Sequence, residues 1–152
     1  MLQPINRGFG GTDIEDAMHF TDRIIFPYLP RTVYLRAGGN DLWNGKSPEE
    51  VFTDFKEFVE TIQKRLPRTE VTFISLSPSL ARWSQAPREK KLNELIAIYV
   101  RGKSRLSYIE TYDVPLGPDG KPRAELFVAD KLHFNEAGYK LLAERMRANL
   151  RR

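Results

Sequence analysis

The sequence predicts a parallel β-sheet with helices on both faces, a three-layer α/β/α sandwich forming one domain over residues 1–152. Three observations carry this. Short β-rich runs alternate with longer segments of helical periodicity, the signature of strand–helix–strand units. Turn-forming Gly, Pro, Asn and Asp gather at the junctions. The length of 152 residues suits one ordinary domain with a single core, and no repeat, low-complexity tract or linker divides it.

Taken in order, Pro4–Phe9 reads as a short strand entering a turn crowded by Gly8, Gly10 and Gly11. Thr12-Asp13-Ile14-Glu15 has capping-box spacing, so a helix should start near Asp13, with Ile14, Ala17, Met18 and Ile25 inward and Pro27 and Pro30 ending it. Thr32–Ala37 is the second strand, followed by Gly38-Gly39. Ser47 as N-cap, Pro48 in the first turn and Glu50 completing a capping box open the clearest helix. Its stripe is Val51, Phe55, Phe58, Val59, Ile62 and Leu66. Val71–Leu76 is a third strand, broken by Ser77-Pro78. A loop runs to Pro87, then a helix carries Leu92, Leu95, Ile96 and Tyr99. Leu106–Glu110 is a fourth strand. Gly117-Pro118-Asp119-Gly120 punctuates a polar loop, Leu126–Phe134 is irregular, and Asn135 caps a last helix with Leu141, Leu142 and Met146 inward.

Composition narrows the function. There is no cysteine, which excludes disulfides, thiolate zinc sites and a cysteine nucleophile. The 24 basic and 20 acidic residues leave a net charge of +4, spread along the chain rather than in the stripe expected of a nucleic-acid binder. The densest basic stretch, Arg145, Arg147, Arg151 and Arg152, reads as a solvated helix face and end. No apolar run approaches the length of a membrane span, and no signal peptide is read at the N-terminus. A cytoplasmic location is the default expectation.

Three segments stand where a parallel sheet opens its ligand crevice, beyond the carboxyl ends of the strands. Asn6–Thr12 pairs glycines with a helix start and offers backbone N–H groups to an anion, or is a plain tight turn. Gly38-Gly39-Asn40-Asp41 presents an amide donor, or an Asx-turn. In Asp130-Lys131-Leu132-His133 the aspartate can fix the imidazole tautomer and make His133 a base. The other histidine, His19, sits mid-helix without an acidic partner at a telling position and reads as structural.

Together these segments resemble the SGNH (GDSL-type) hydrolase family over nearly the whole chain. Gly11 matches the family's glycine block, Asn40 the Gly-x-Asn-Asp block and Asp130 with His133 the Asp-x-x-His block. The resemblance implies a flavodoxin-like fold and ester or thioester hydrolysis without metal or organic cofactor. It makes Gly11 and Asn40 oxyanion donors, His133 the general base and Asp130 its orienter. The family's Gly-Asp-Ser motif occurs nowhere in these residues, so the usual nucleophile is not found and the first strand is expected to be missing. Ser77 and Ser79, which follow the third strand, are the substitutes to consider; Ser47 is explained as a cap. Arg82 and Trp83, on loop position alone, are expected either to border the acyl pocket or to pack on the surface.

The expected function is hydrolysis of a small ester or acylated substrate. The alternatives are a non-catalytic module or an inactive truncated form keeping an acyl or carbohydrate ester pocket, and a cation site of Asp41, Asp130 and His133. Without a first strand, Thr32–Ala37 has an open edge. It should pair with Pro4–Phe9 or with a second copy, giving a homo-oligomer.

Overall fold

In the computed structural model the described residues are 4–150. Met1, Leu2 and Gln3 at the start, and Arg151 and Arg152 of the basic tail, lie outside them. The chain runs α1 (Ile14–His19), α2 (Thr21–Ile24), β1 (Thr32–Leu35), α3 (Gly39–Trp43), α4 (Pro48–Arg65), β2 (Glu70–Ile74), α5 (Ala86–Val100), β3 (Leu106–Ile109) and α6 (Glu136–Leu150). The strands form a parallel sheet in the order β1-β2-β3. β2 is central, with Val33 opposite Val71 and Phe73 opposite Tyr108. Its run Val71–Ile74 is buried at every position, as a strand covered on both faces requires.

The α4 helix forms for the reasons its sequence gives. Ser47 Oγ accepts from the Glu50 N–H, and the Glu50 carboxylate accepts from the Ser47 N–H at 2.7 Å. Val51, Phe55, Phe58, Val59 and Ile62 are buried, while Leu66 ends the helix half-buried. Phe55 packs edge-on to Phe73 of β2. Around them α1, α5 and β1 contribute Ile14, Leu35, Leu92 and Ile96 to the main core. A second cluster, Val114, Leu126, Phe127, Phe134 and Leu142, joins α6 to the irregular segment before it. Arg36 follows the core-facing Leu35 and points the other way. Its guanidinium lies 5.9 Å from the Phe134 ring centre, which puts the second cluster across the sheet from the first.

Several expectations are corrected. Pro4–Phe9 is not a strand: Asn6 Oδ1 accepts from the Gly8 N–H, a local turn bond that competes with a ladder. Consequently β1 does not pair with it, and among the described residues β1 bonds to β2 alone. The first helix starts at Ile14, but its capping box is Asp13 with Asp16, because Thr12 Oγ1 donates instead to the Phe9 carbonyl. It breaks at Phe20, and α2 and a 3-10 turn over Phe26–Tyr28 follow, so Ala17 and Met18 are only half-buried. The segment after Gly38 is a short helix rather than an isolated Asx-turn. Leu95 and Tyr99 in α5, and Leu141 and Met146 in α6, are half-buried, leaving Leu92, Ile96 and Leu142 as the buried residues of the predicted stripes. Arg145 is not simply solvated: its guanidinium forks onto Asp113 at 2.7 and 3.0 Å.

Two glycines allow close approach. Gly38 ends the β1 turn with φ +115°, and a Cβ there would meet Leu92 at 3.0 Å. Gly138 in α6 lies against the Leu126 carbonyl and the Phe134 ring, where a Cβ would sit at 2.5 and 2.8 Å. No helix among the described residues is long and apolar enough to cross a membrane.

Candidate active site

The segment Asp130–His133 is a tight turn that builds its own dyad. Asp130 Oδ1 accepts from the backbone N–H groups of Leu132 at 2.8 Å and His133 at 3.0 Å, leaving Oδ2 2.6 Å from His133 Nδ1. Lys131 holds a left-handed conformation, φ +57°, to close the turn. The His133 ring bond, with the His133 and Leu132 N–H groups, draws the Asp130 carboxyl down to about 2. The carboxylate is therefore a permanent anion next to the imidazole. Both side chains are open to solvent. The Asn135 cap of α6 and the Gly138 contact hold the end of this turn against the second cluster.

The opposite wall is the β1–α3 turn. Asn40 Nδ2 donates to the Thr12 carbonyl at 2.9 Å, and the next residue, Asp41, accepts from the Ile14 N–H at 3.3 Å. These reciprocal bonds bring the Gly11 turn, with φ +73° at Gly11, to Asn40. One of the two Asn40 amide hydrogens remains for a ligand. Burial pushes the Asp41 carboxyl up, against the Ile14 hydrogen bond.

The loop after β2 ties the two walls together. Arg82 Nη1 donates to Asn40 Oδ1 at 2.9 Å, and the preceding residue, Ala81, donates its N–H to the Lys131 carbonyl at 3.0 Å. Two residues of one loop thus join the oxyanion candidate to the Asp–His turn. Behind Asn40, Gln85 Nε2 donates to the Gly39 carbonyl at 3.2 Å and to Glu89 at 2.8 Å. Of these supports, sequence reasoning had only Arg82, placed by loop position. Gln85 and Glu89 lie four apart on one helical face, the one signal that pointed to them.

The two serines are engaged elsewhere. Ser77 Oγ donates to the Thr111 carbonyl at 2.7 Å, and Ser79 Oγ accepts from the Arg82 N–H at 3.2 Å. No serine hydroxyl among the described residues lies within hydrogen-bonding distance of His133. Asp41 is buried under α1, and no group of three His, Asp or Glu side chains suited to a cation gathers among the described residues. His19 is exposed and packs edge-on to Phe20. A separate cleft of about 370 Å³ between α5 and Arg145 includes none of these residues; the dyad, not that hollow, has the geometry for chemistry.

The architecture is that of an α/β protein whose Asp130–His133 pair and Asn40 turn stand near the carboxyl ends of a parallel sheet. The chain belongs to the GDSL-like lipase/acylhydrolase family, whose model matches residues 2–141. Solved structures share the fold. A Streptococcus pneumonia protein, provisionally described as a platelet activating factor, is 19% identical with TM-score 0.85, over 96% of this chain and 72% of that one. A family 3 carbohydrate esterase from Talaromyces cellulolyticus is 16% identical with TM-score 0.78, over 94% and 68%. The OSK domain of Drosophila Oskar is 18% identical with TM-score 0.74, over 91% and 70%. No curated protein matches the chain.

Proposed function

We propose that the chain hydrolyses esters of a small or acylated substrate, with His133 as general base, Asp130 as its orienter, and Asn40 and Gly11 as oxyanion donors. The observation that carries this reading is the 2.6 Å Asp130–His133 pair, roped to Asn40 through Arg82 and Ala81. Within these residues the nucleophile is water. His133 Nε2 takes a proton from water as the water oxygen attacks the ester carbonyl. The Asn40 amide and Gly11 N–H donate to the oxygen that becomes negative, and Asp130 stabilises the imidazolium. The imidazolium then returns its proton to the leaving alkoxide, releasing alcohol and acid. Without a covalent step, such a site still gives roughly 10³–10⁴-fold over water.

The test is hydrolysis of a short-chain activated ester at pH 8 by the chain and by His133→Ala. Turnover by the parent with background rates in the variant supports the reading; equal rates sink it. The engagement of Ser77 and Ser79 with Thr111 and Arg82 favours a second reading, a pocket that binds an acyl or carbohydrate ester without cleaving it. Saturable binding of a substrate-like ester without turnover selects that one.

A further inference from the structure

The crevice between the Asn40 turn and the Asp130–His133 turn is flanked by two guanidinium groups. Arg82 bonds to Asn40 and lies 4.9 Å from the ring centre of Trp43. Arg36 leaves the end of β1 and reaches Phe134, the residue after His133. Arg82 thus stands on the Asn40 side, and Arg36 beside the segment that carries His133. Neither forms an ion pair among the described residues. Arg36 is exposed at its surface, although burial around its guanidinium holds it below the ordinary arginine value; its side chain makes no hydrogen bond among the described residues, and Arg82 is half-buried.

Glu89 is the acidic group that feels both arginines. It is only 5% exposed; Oε1 accepts from Gln85, and Oε2 has no partner among the described residues. Burial pushes its carboxyl toward the neutral form, against the Gln85 bond and the two arginines. It makes no direct hydrogen bond to either guanidinium and leaves their forks directed elsewhere. A planar guanidinium fork matches a carboxylate in a two-bond pairing that a neutral ester cannot reproduce. Arg82 uses one donor on Asn40, so each arginine keeps donors for a ligand.

We propose that the site selects esters bearing a carboxylate, held by Arg36 and Arg82 beside the ester carbonyl. This rests on the ester-hydrolase reading and names its substrate class. The free dicarboxylate released by such a reaction has the same anionic chemistry, so the test separates the two.

Calorimetric titration of the full chain at low salt with monomethyl succinate, dimethyl succinate and succinate reads binding independently of turnover. The fluorescence of Trp43, half-exposed beneath Arg82, is a second signal. The half-ester is expected to bind about tenfold more tightly than the neutral diester, with an advantage that shrinks as salt rises. Arg36→Gln should remove the advantage, and Arg36→Lys, which keeps the charge, should retain part of it. Should Arg36→Gln fail to fold by circular dichroism, the Lys variant and the salt dependence decide. Equal affinity for half-ester and diester, or no saturable binding of the half-ester, overturns the proposal. So does succinate binding as tightly as the half-ester, which makes the site a carboxylate trap. Selective binding of the half-ester without cleavage leaves this inference standing and overturns hydrolysis.

Discussion

Asp130 and His133 sit three residues apart, and that spacing builds the pair. One carboxylate oxygen closes the turn on two backbone N–H groups while the other faces the imidazole. With its carboxyl at about 2, Asp130 keeps its charge throughout the range in which an imidazole titrates. A depressed carboxyl favours the folded state above its ordinary range, and that contribution is lost only as pH falls toward 2. Asp130 should therefore add no step of its own to a pH–rate profile above the ordinary carboxylate range. Asp130→Asn should lower ester hydrolysis by about 10²–10⁴-fold without unfolding the chain. A variant with the parent's rate and profile would remove Asp130 from the mechanism.

At the scale of elements, the site depends on how α1, α3 and α6 are held. Asp41 fastens α3 to the first turn of α1 through the Ile14 N–H. Because burial raises its carboxyl, the folded chain binds that proton more readily than the unfolded chain. Stability contributed by this group is present at low pH and falls as pH rises above the ordinary carboxylate range. Asp41→Asn keeps the acceptor and drops the charge, so it should unfold at the parent's temperature or higher at pH 7. Asp41→Ala leaves a buried N–H unpaired and should cost about 1–3 kcal/mol in denaturant unfolding. Identical losses in both variants would mean that the charge itself is needed. At the other wall, Gly138→Ala drives a methyl group into the Leu126 carbonyl and the Phe134 ring. It should destabilise the chain by about 1–3 kcal/mol and reduce hydrolysis together, since α6 must lift from the turn that carries His133. An unaffected melting temperature would show that α6 gives way without cost.

At the scale of the whole molecule, β1 is the weak boundary. Among the described residues it pairs with β2 on one side only, and Tyr34 is 41% exposed beside that open ladder. Unpaired parallel-strand N–H and C=O groups next to apolar side chains seek a partner. Self-association through β1 is the expected consequence, read by light scattering as a mass that grows with concentration. Tyr34→Lys places a charge at the edge and should return the chain to a monomer. A monomer at every concentration in the parent rules the association out.

Local rules made much of this protein legible in its sequence. Capping chemistry set the first residue of α4 and period its buried face, β-rich runs located β2 and β3, and Asn135 announced α6. The Asp130–His133 pair was equally visible because both partners lie in one turn. The tertiary structure alone decided the rest. Asn40 with Arg82, Ala81 with Lys131, and Asp41 with Ile14 are bonds between residues 27 to 50 apart, which no local pattern encodes. Pro4–Phe9 had the composition of a strand, but a strand exists only where a neighbouring edge accepts its hydrogen bonds. The sequence determined which groups could do chemistry; the packing of loops at the ends of the strands decided which of them meet.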